Sequence, residues 1–539
     1  MSYENDKTLL LSLKENIFPR ERMLRLIRYD YAESMDKKRN FKNIRKLYDM
    51  SEKGEYHIDE QTWHDLDLDK VYSKLDRNYS SVGEAALYSM LRNPLNDEKK
   101  LNDRNNIIEY FKENEKIRTK ILGIFFDLGM DKKNSLLDMI DEKLIESNQF
   151  KYYAYTALGK LLPAILILTA IFVDIRAMLI FMFLSFFNMY LNSKEREYIK
   201  SNGLIYLRKV IKSTKKIMAI KDKGLDSFKE GINENLNKLK SIDRNTKIIS
   251  FANMWGGVFE FISVLFLLEE AAYYKTADAI ENNKVSILNL YKALGQIEAI
   301  ISIGSYEVEE KDRINKPKFI KETTLRVKNG IHPIIKNPVA NSINMSKRGI
   351  VLTGTNMSGK STFLRMLGVN MLLAQTFDFV LAEKYEAPIF NIVSSISPND
   401  DLSSGKSFYM AEAESILRII KALDKNLPVF CPIDEIFRGT NPIERISASA
   451  EILTYINKKN SISIVATHDR ELVDILKDNY EFYYFSESVD SKEGLSFDYK
   501  LKKGVSKTRN AIKLLDYIGY PSDIIKKAYE RSEKLEGFI

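Results

Sequence analysis

The stretch Gly349-Ile350-Val351-Leu352-Thr353-Gly354-Thr355-Asn356-Met357-Ser358-Gly359-Lys360-Ser361-Thr362 decides the fold. Gly349 to Thr353 reads as a short buried strand, Gly354 to Ser361 fits G-x-x-x-x-G-K-[ST], and Thr362 to Ala374 carries helical periodicity. Strand, glycine-rich turn and helix in that order wrap backbone N–H groups around an anion at the positive end of a helix dipole. In such a turn Lys360 reaches the β- and γ-phosphates of ATP and the Ser361 hydroxyl ligates Mg²⁺. The candidate nucleotide-binding residues are therefore Gly354, Thr355, Asn356, Met357, Ser358, Gly359, Lys360, Ser361 and Thr362.

Outward from this turn, the sequence supplies the rest of a phosphate-handling site. Pro428 to Ile433 is an apolar run that ends in Asp434-Glu435. Asp434 is expected to hold Mg²⁺ with Ser361, and Glu435 to polarise an attacking water from a partly desolvated pocket. Pro432 is awkward there, because a proline cannot donate to a sheet ladder. Ile462 to Ala466 is a second apolar run and delivers Thr467-His468-Asp469 to a strand end. An isolated histidine is more often an ordinary surface or core residue, but after a phosphate loop and an acidic strand His468 reads as a γ-phosphate sensor. Between these runs lies Asp400 to Ser407, which reads equally as a second phosphate-contacting loop or as a plain N-cap by Ser407 on a helix from about Phe408. From a boundary near Lys311 to about Lys500, strands alternate with helices, as in a sheet with covering helices.

The half of the chain before Lys311 reads differently. Apolar residues recur at helical spacing through Val71, Leu75, Leu87, Met90 and Leu91 and again through Ile107, Ile108 and Phe111, with Asn93-Pro94 as a break. Leu161 to Leu191 is almost wholly apolar, interrupted chiefly by Asp174 and Arg176, with Lys151 and Lys160 before it and Lys194 and Arg196 after. Residues 152–192 thus have the pattern of a membrane hairpin with both ends on the cytoplasmic side. The alternative is a pair of core helices buried inside a large protein. Lys194 to Lys247 holds 15 Lys or Arg against 7 Asp or Glu, a surplus of 8 that equals the net charge of the whole chain. A solvated helix face, anionic lipid headgroups and nucleic-acid phosphates all suit that run. Phe251 to Tyr274 contains Glu260, Glu269 and Glu270 and reads as a buried helix rather than a third span.

Composition fits an intracellular multidomain protein. The 539 residues exceed what one compact core uses. Cys431 is the only cysteine, so an internal disulfide is excluded, and the four histidines are too scattered for a zinc cluster. Met1 to Arg20 has no apolar h-region, which argues against a secretory signal.

Taken together, these residues resemble the MutS mismatch-repair family. Gly354 to Thr362 is similar to its Gly-Pro-Asn-Met-Gly-Gly-Lys-Ser-Thr loop, with Thr355 and Ser358 in place of Pro and Gly. Asp400 to Glu412 resembles its Asp-Asp-Leu-x-Ser-Gly-x-Ser loop, and Asp434 to Thr440 resembles its acidic strand, with Phe437 where many members have Gly. Ala466-Thr467-His468, Gly330-Ile331-His332-Pro333, Leu75-Asp76-Arg77, Asn93-Pro94-Leu95 and Gly519-Tyr520-Pro521 extend the likeness over most of the chain. The resemblance implies a multidomain fold, an all-α core and lever region followed by an α/β P-loop NTPase domain of ABC/MutS type. It also implies an Mg-dependent ATPase that works as a homodimer, with Glu435, His468 and Ser407 catalytic and Ser407 approaching the partner's nucleotide. The expected divisions are a lead-in at 1–56, a helical core and lever at 57–310 with the hairpin at 152–192, the ATPase at 311–515 and a dimerising segment at 516–539. The family's N-terminal mismatch-reading domains are expected to be absent, and Phe-x-Glu occurs only at Phe111, Phe228 and Phe485, inside later segments. The reading is an ATPase on the inner face of the cell membrane, tethered through 152–192, with DNA a further candidate partner. Its alternative is a soluble DNA-binding factor of repair or recombination.

Overall fold

In the computed structural model, the described residues are 19–141, 148–201, 203–246, 258–346, 348–355, 358–397, 408–438, 441–469, 471–490, 494–505 and 511–536. Asn356, Met357 and Ser407, and most of Asp400 to Glu412, lie outside them. The chain divides into two compact units: residues 1–52, 76–89 and 106–309 form a helical unit, and residues 53–75, 90–105 and 310–539 form an α/β unit. Two stretches from the helical half of the sequence, 53–75 and 90–105, therefore pack with the nucleotide-binding half.

The helical unit is built around Lys284–Glu309, a helix whose buried face includes Ile287, Leu290, Leu294, Ile297 and Ile301. Glu298 on that helix is fully buried, where it accepts from the Tyr79 and Ser80 N–H groups. Burial pushes its carboxyl up to about 8.

The apolar stretch forms a helical hairpin, Gln149–Phe172 followed by Ala177–Ser201. Pro163 lies inside the first arm, and a π-turn at Ala157–Leu161 takes up the disturbance that a proline ring imposes on the preceding turn. The fully buried Asn188 amide donates to the Leu158 and Leu265 carbonyls at 3.1 and 2.7 Å. At the base of the hairpin the polar groups close on one another: Lys151, Tyr155 and Tyr274 all donate to Glu195, and Asn192 donates to Glu270. Beyond this base the arms are not buried in the unit's core. Phe172, Val173, Phe183 and Phe186 are 79%, 80%, 70% and 62% exposed, and Ile165, Leu168, Leu179 and Ile180 are exposed as well. Among the described residues, Gln149–Phe172 is the one helix long and apolar enough by length and composition to cross a membrane. The arms meet at a polar turn where the Arg176 guanidinium donates to Asp174 at 2.8 Å.

The α/β unit opens with strands that form a small sheet flanking the site: β1 (Lys318–Phe319), β2 (Leu325–Gly330), β3 (Asn341–Met345) and, after the next strand in the chain, β5 (Lys384–Ala387). Their order is β1-β5-β2-β3. The main sheet is made of β4 (Gly349–Thr353), β6 (Asn391–Ile392), β7 (Val429–Asp434), β8 (Ser461–Ala466), β9 (Tyr480–Tyr484) and β12 (Lys502–Lys503), in the order β12-β9-β4-β8-β7-β6. Between its last two members, β10 (Glu487–Asp490) and β11 (Gly494–Phe497) pair with each other as an antiparallel ribbon. All pairs in the main sheet are parallel except β12 with β9. The near-continuous burial of β4, β7 and β8 matches their position in the middle of a sheet packed against helices such as Lys360–Phe377 and Pro442–Asn457.

Pro432 sits within β7 without breaking it. Its carbonyl accepts the Ser395 N–H at 2.9 Å, toward the short edge strand. In a parallel ladder a residue's N–H and C=O face the same neighbour, so the missing donor is lost at the edge and the pairing of β7 with β8 stays whole.

Candidate functional site

Strands β4, β8 and β7 are consecutive neighbours and parallel, so the loops at their C-terminal ends open on one crevice. That topology brings together residues that the sequence separates by more than a hundred positions. Gly354 leaves β4 with φ 138°, and Gly359 adopts φ 107° as the residue preceding the helix Lys360–Phe377. A side chain at Gly354 would also bring its Cβ to 2.7 Å from the Phe485 carbonyl oxygen, so both turns need glycine. Gly359, Lys360, Ser361 and Thr362 line the crevice, where the first N–H groups of the helix have no intrahelical acceptor. The Lys360 ammonium donates to the Gly354 and Thr355 carbonyls at 2.8 and 2.9 Å, which holds it over the turn. Ser358 beside it is buried.

The acidic end of β7 faces this turn. The Ser361 hydroxyl donates to the Asp434 carboxylate, itself nearly buried. Glu435 follows in a left-handed conformation, φ 60°, with its N–H donated to the Ala466 carbonyl at 2.8 Å. Its carboxylate lies 2.7 Å from Arg438 Nε and 3.2 Å from His468 Nε2. His468 Nε2 is also 3.4 Å from Lys360 Nζ. Burial and then the Lys360 ammonium hold the His468 pKa below the usual imidazole range, so the ring is neutral at neutral pH and can accept from a donor. Lys360, Ser361, Asp434, Glu435 and His468 are thus one cluster, with Gly354, Thr355, Gly359 and Thr362 around it. Asn356, Met357 and Ser407 lie outside the described residues.

The crevice has a volume of about 820 Å³, within the range of small-molecule sites, and extends past the phosphate turn to residues that motif reading did not single out. Ile335, Val339, Phe363 and Met366 give it an apolar wall. Tyr499 closes another side, with its ring 3.3 Å from where a Cβ on Gly359 would stand. Its backbone is left-handed, φ 52°, and Asn341 fixes it by donating to the Tyr499 carbonyl at 3.0 Å while accepting from the Leu501 N–H at 2.8 Å. His332, also in the wall, is buried, and desolvation followed by the nearby Arg365 pushes its pKa down to about 4. Only the His332 position carried a sequence signal, through Gly330 to Pro333. Tyr499 lies nearly 140 residues after the turn, in a segment with no periodicity to mark it.

The hard oxygens of Ser361 and Asp434 fit Mg²⁺, which binds through one or two protein oxygens and keeps waters and phosphates for the rest of its shell.

Comparison with known proteins finds relatives over this part of the chain. Residues 350–536 match MutS domain V. The DNA mismatch repair protein MutS of Thermotoga maritima is 31% identical over 277 residues, 50% of this chain and 34% of that protein. The Petrotoga mobilis protein of the same name is 30% identical over 281 residues, 49% of this chain and 32% of its own, and a Thermus thermophilus protein of that name is 26% identical over 265 residues, 48% and 32%. The chain therefore spans about a third of the length of these relatives. The α/β region that carries the crevice follows a helical region in the chain and contains the stretch that matches MutS domain V, an ATPase domain.

Proposed function

We propose that this chain is an Mg-dependent ATPase that works as a homodimer and is held at the inner face of the cell membrane by its apolar hairpin. The convergence of Lys360, Ser361, Asp434, Glu435 and His468 at the ends of three adjacent parallel strands carries the ATPase reading.

In this reading the N–H groups from Gly354 to Thr362 cradle the phosphates and the Lys360 ammonium moves from its loop carbonyls to the β- and γ-phosphate oxygens. Ser361 and Asp434 hold Mg²⁺, which when bound offsets charge on the phosphates. Glu435, oriented by Arg438, accepts a proton from the attacking water, and neutral His468 accepts from or donates to the γ-phosphate region as its tautomer allows. The apolar wall and Tyr499 offer a surface for the base. Ser407 acts across a dimer, as the resemblance implies.

The membrane reading rests on the exposure of the hairpin. Tyr153 to Phe172 is about 30 Å of helix at 1.5 Å per residue, the thickness of a hydrocarbon core. Most large apolar side chains on both arms face outward, while the charged groups are concentrated at the two ends, around Glu195 at the base and at Asp174 and Arg176 in the turn. Lys160 is exposed and lies nearer the base than the turn, and its aliphatic stem extends toward the headgroups at the base. DNA enters as a second partner from the name of the relatives and from the basic surplus after Lys194; salt-dependent binding would identify it.

The test is ATP affinity. Lys360→Ala is expected to weaken binding of a fluorescent ATP analogue by at least about a hundredfold, the value of a charged contact to phosphate. Unchanged affinity would remove the nucleotide from this crevice.

A further inference from the structure

Ile396 and Ser397 form a wall of the crevice beside Asp434, and what fixes them lies behind that wall, out of reach of any ligand. The chain from Asn391 to Ser395 runs alongside β7. Val393 N–H donates to the Phe430 carbonyl, Ser395 N–H to that of Pro432, and Asp434 N–H returns to the Ser395 carbonyl at 2.8 Å. After Ser395 the chain leaves the sheet, and the next two amides turn to a single carboxylate, that of Asp65.

Asp65 ends the short helix Glu60–Asp65 and is fully buried. One of its oxygens accepts from Ile396 N–H at 2.9 Å and from the Ser394 hydroxyl at 2.7 Å. The other accepts from Ser397 N–H and from Gln61 Nε2, both at 2.8 Å. The Asp65 backbone carbonyl accepts in turn from Arg365 Nε at 2.7 Å, and Arg365 stands in the second turn of the helix that begins with Lys360 and Ser361. Gln61 completes the contact by donating to the Ser397 carbonyl at 3.0 Å.

Every partner of the Asp65 carboxylate donates, and two of them are backbone amides that cannot turn away. A carboxylate offers acceptor sites on both oxygens, and such charge-assisted bonds are roughly twice as strong as neutral ones. An amide of the same shape would set its own N–H groups against one of the donors and leave that group unpaired in a buried site.

We propose that Asp65 is a positioning residue for ATP hydrolysis. Its carboxylate sets the Ile396–Ser397 wall and, through Ser395, the backbone of Asp434, while its carbonyl ties the same point to the phosphate-turn helix through Arg365. One residue thereby holds the two sides of the metal site, Ser361 and Asp434, at a fixed separation. The inference rests on the ATPase reading above.

The test uses the full chain and compares wild type with Asp65→Asn and Arg365→Met. Four quantities are read: affinity for a fluorescent ATP analogue without metal, kcat, the Mg²⁺ concentration that gives half-maximal hydrolysis, and thermal stability. Asp65→Asn is expected to keep metal-free nucleotide affinity within about threefold, to lower kcat at least about tenfold and to raise half-saturating Mg²⁺ several-fold. Arg365→Met should shift the last two in the same direction by less, and it carries the test if the Asn variant does not fold. A merely structural role would lower thermal stability and leave the Mg²⁺ dependence of the folded fraction unchanged. Folded variants with kcat and half-saturating Mg²⁺ within about twofold of wild type overturn the inference. Wild-type protein without hydrolysis would instead sink the ATPase reading itself.

Discussion

The α/β crevice and the helical hairpin treat their side chains in opposite ways. In the crevice, charged groups are drawn inward and each is met by another: Lys360 by carbonyls, Asp434 by Ser361, Glu435 by Arg438 and His468. In the hairpin, charged groups are concentrated at the base and at the turn, and most large apolar ones face outward along both arms. A soluble domain that leaves so many large apolar side chains exposed in one continuous element is unusual, since contiguous apolar patches on monomers are small. The difference sets a crevice that pairs its charges against a hairpin that leaves large apolar side chains uncovered.

The largest effect that would break this contrast comes from the hairpin. Replacing Phe172, Phe183 and Phe186 together with serine removes side chains that are 79%, 70% and 62% exposed, so the fold of the helical unit should survive. At about 1.5 kcal/mol or somewhat less for each ring returned to water, the triple variant should lose about 4 kcal/mol of membrane affinity, on the order of a thousandfold in partition. Flotation of the purified chain with vesicles containing anionic lipid measures this. Equal flotation of variant and wild type would show that the arms do not enter the bilayer.

A smaller effect sharpens the contrast from the crevice side. His332 has its pKa pushed down to about 4, against an ordinary value near 6.5. The unfolded chain therefore binds a proton that the folded one refuses, and stability present above about pH 6.5 falls as the pH drops toward 4. At about pH 5 the loss attributable to this ring is roughly 2 kcal/mol. His332→Asn, which keeps an acceptor for the Ile334 N–H, should remove that part of the pH dependence in chemical denaturation of the α/β unit. An identical slope in the variant would mean that His332 is not the group being protonated.

The two regions were also unequally legible. Gly349 to Ser361 announced strand, turn and helix because each step has its own local signature, and β4 and the helix Lys360–Phe377 stand where that reading puts them. The apolar runs before Asp434 and before His468 likewise became β7 and β8. What sequence could not give was the neighbourhood of those strands, which is a matter of sheet order; the meeting of Lys360 with His468 follows from β4 lying beside β8. Tyr499 and Asp65 were invisible for the same reason. One owes its place to a strained backbone clamped by Asn341, the other to amides more than 300 residues away. The hairpin was legible as two apolar helices, but composition alone could not separate a buried core pair from an exposed one. The accessibility of Ile165, Leu168 and Phe183 draws that distinction. Pro432 reads as a conflict only until its carbonyl is seen to face the edge.

Single-turnover hydrolysis by Glu435→Gln tests the account most directly, because it separates the cradle from the chemistry. With ATP bound before Mg²⁺ is added, the variant should hold nucleotide as tightly as wild type and cleave it about a hundredfold more slowly or worse. Cleavage at the wild-type rate would contradict the assignment of the water-activating carboxylate to the end of β7.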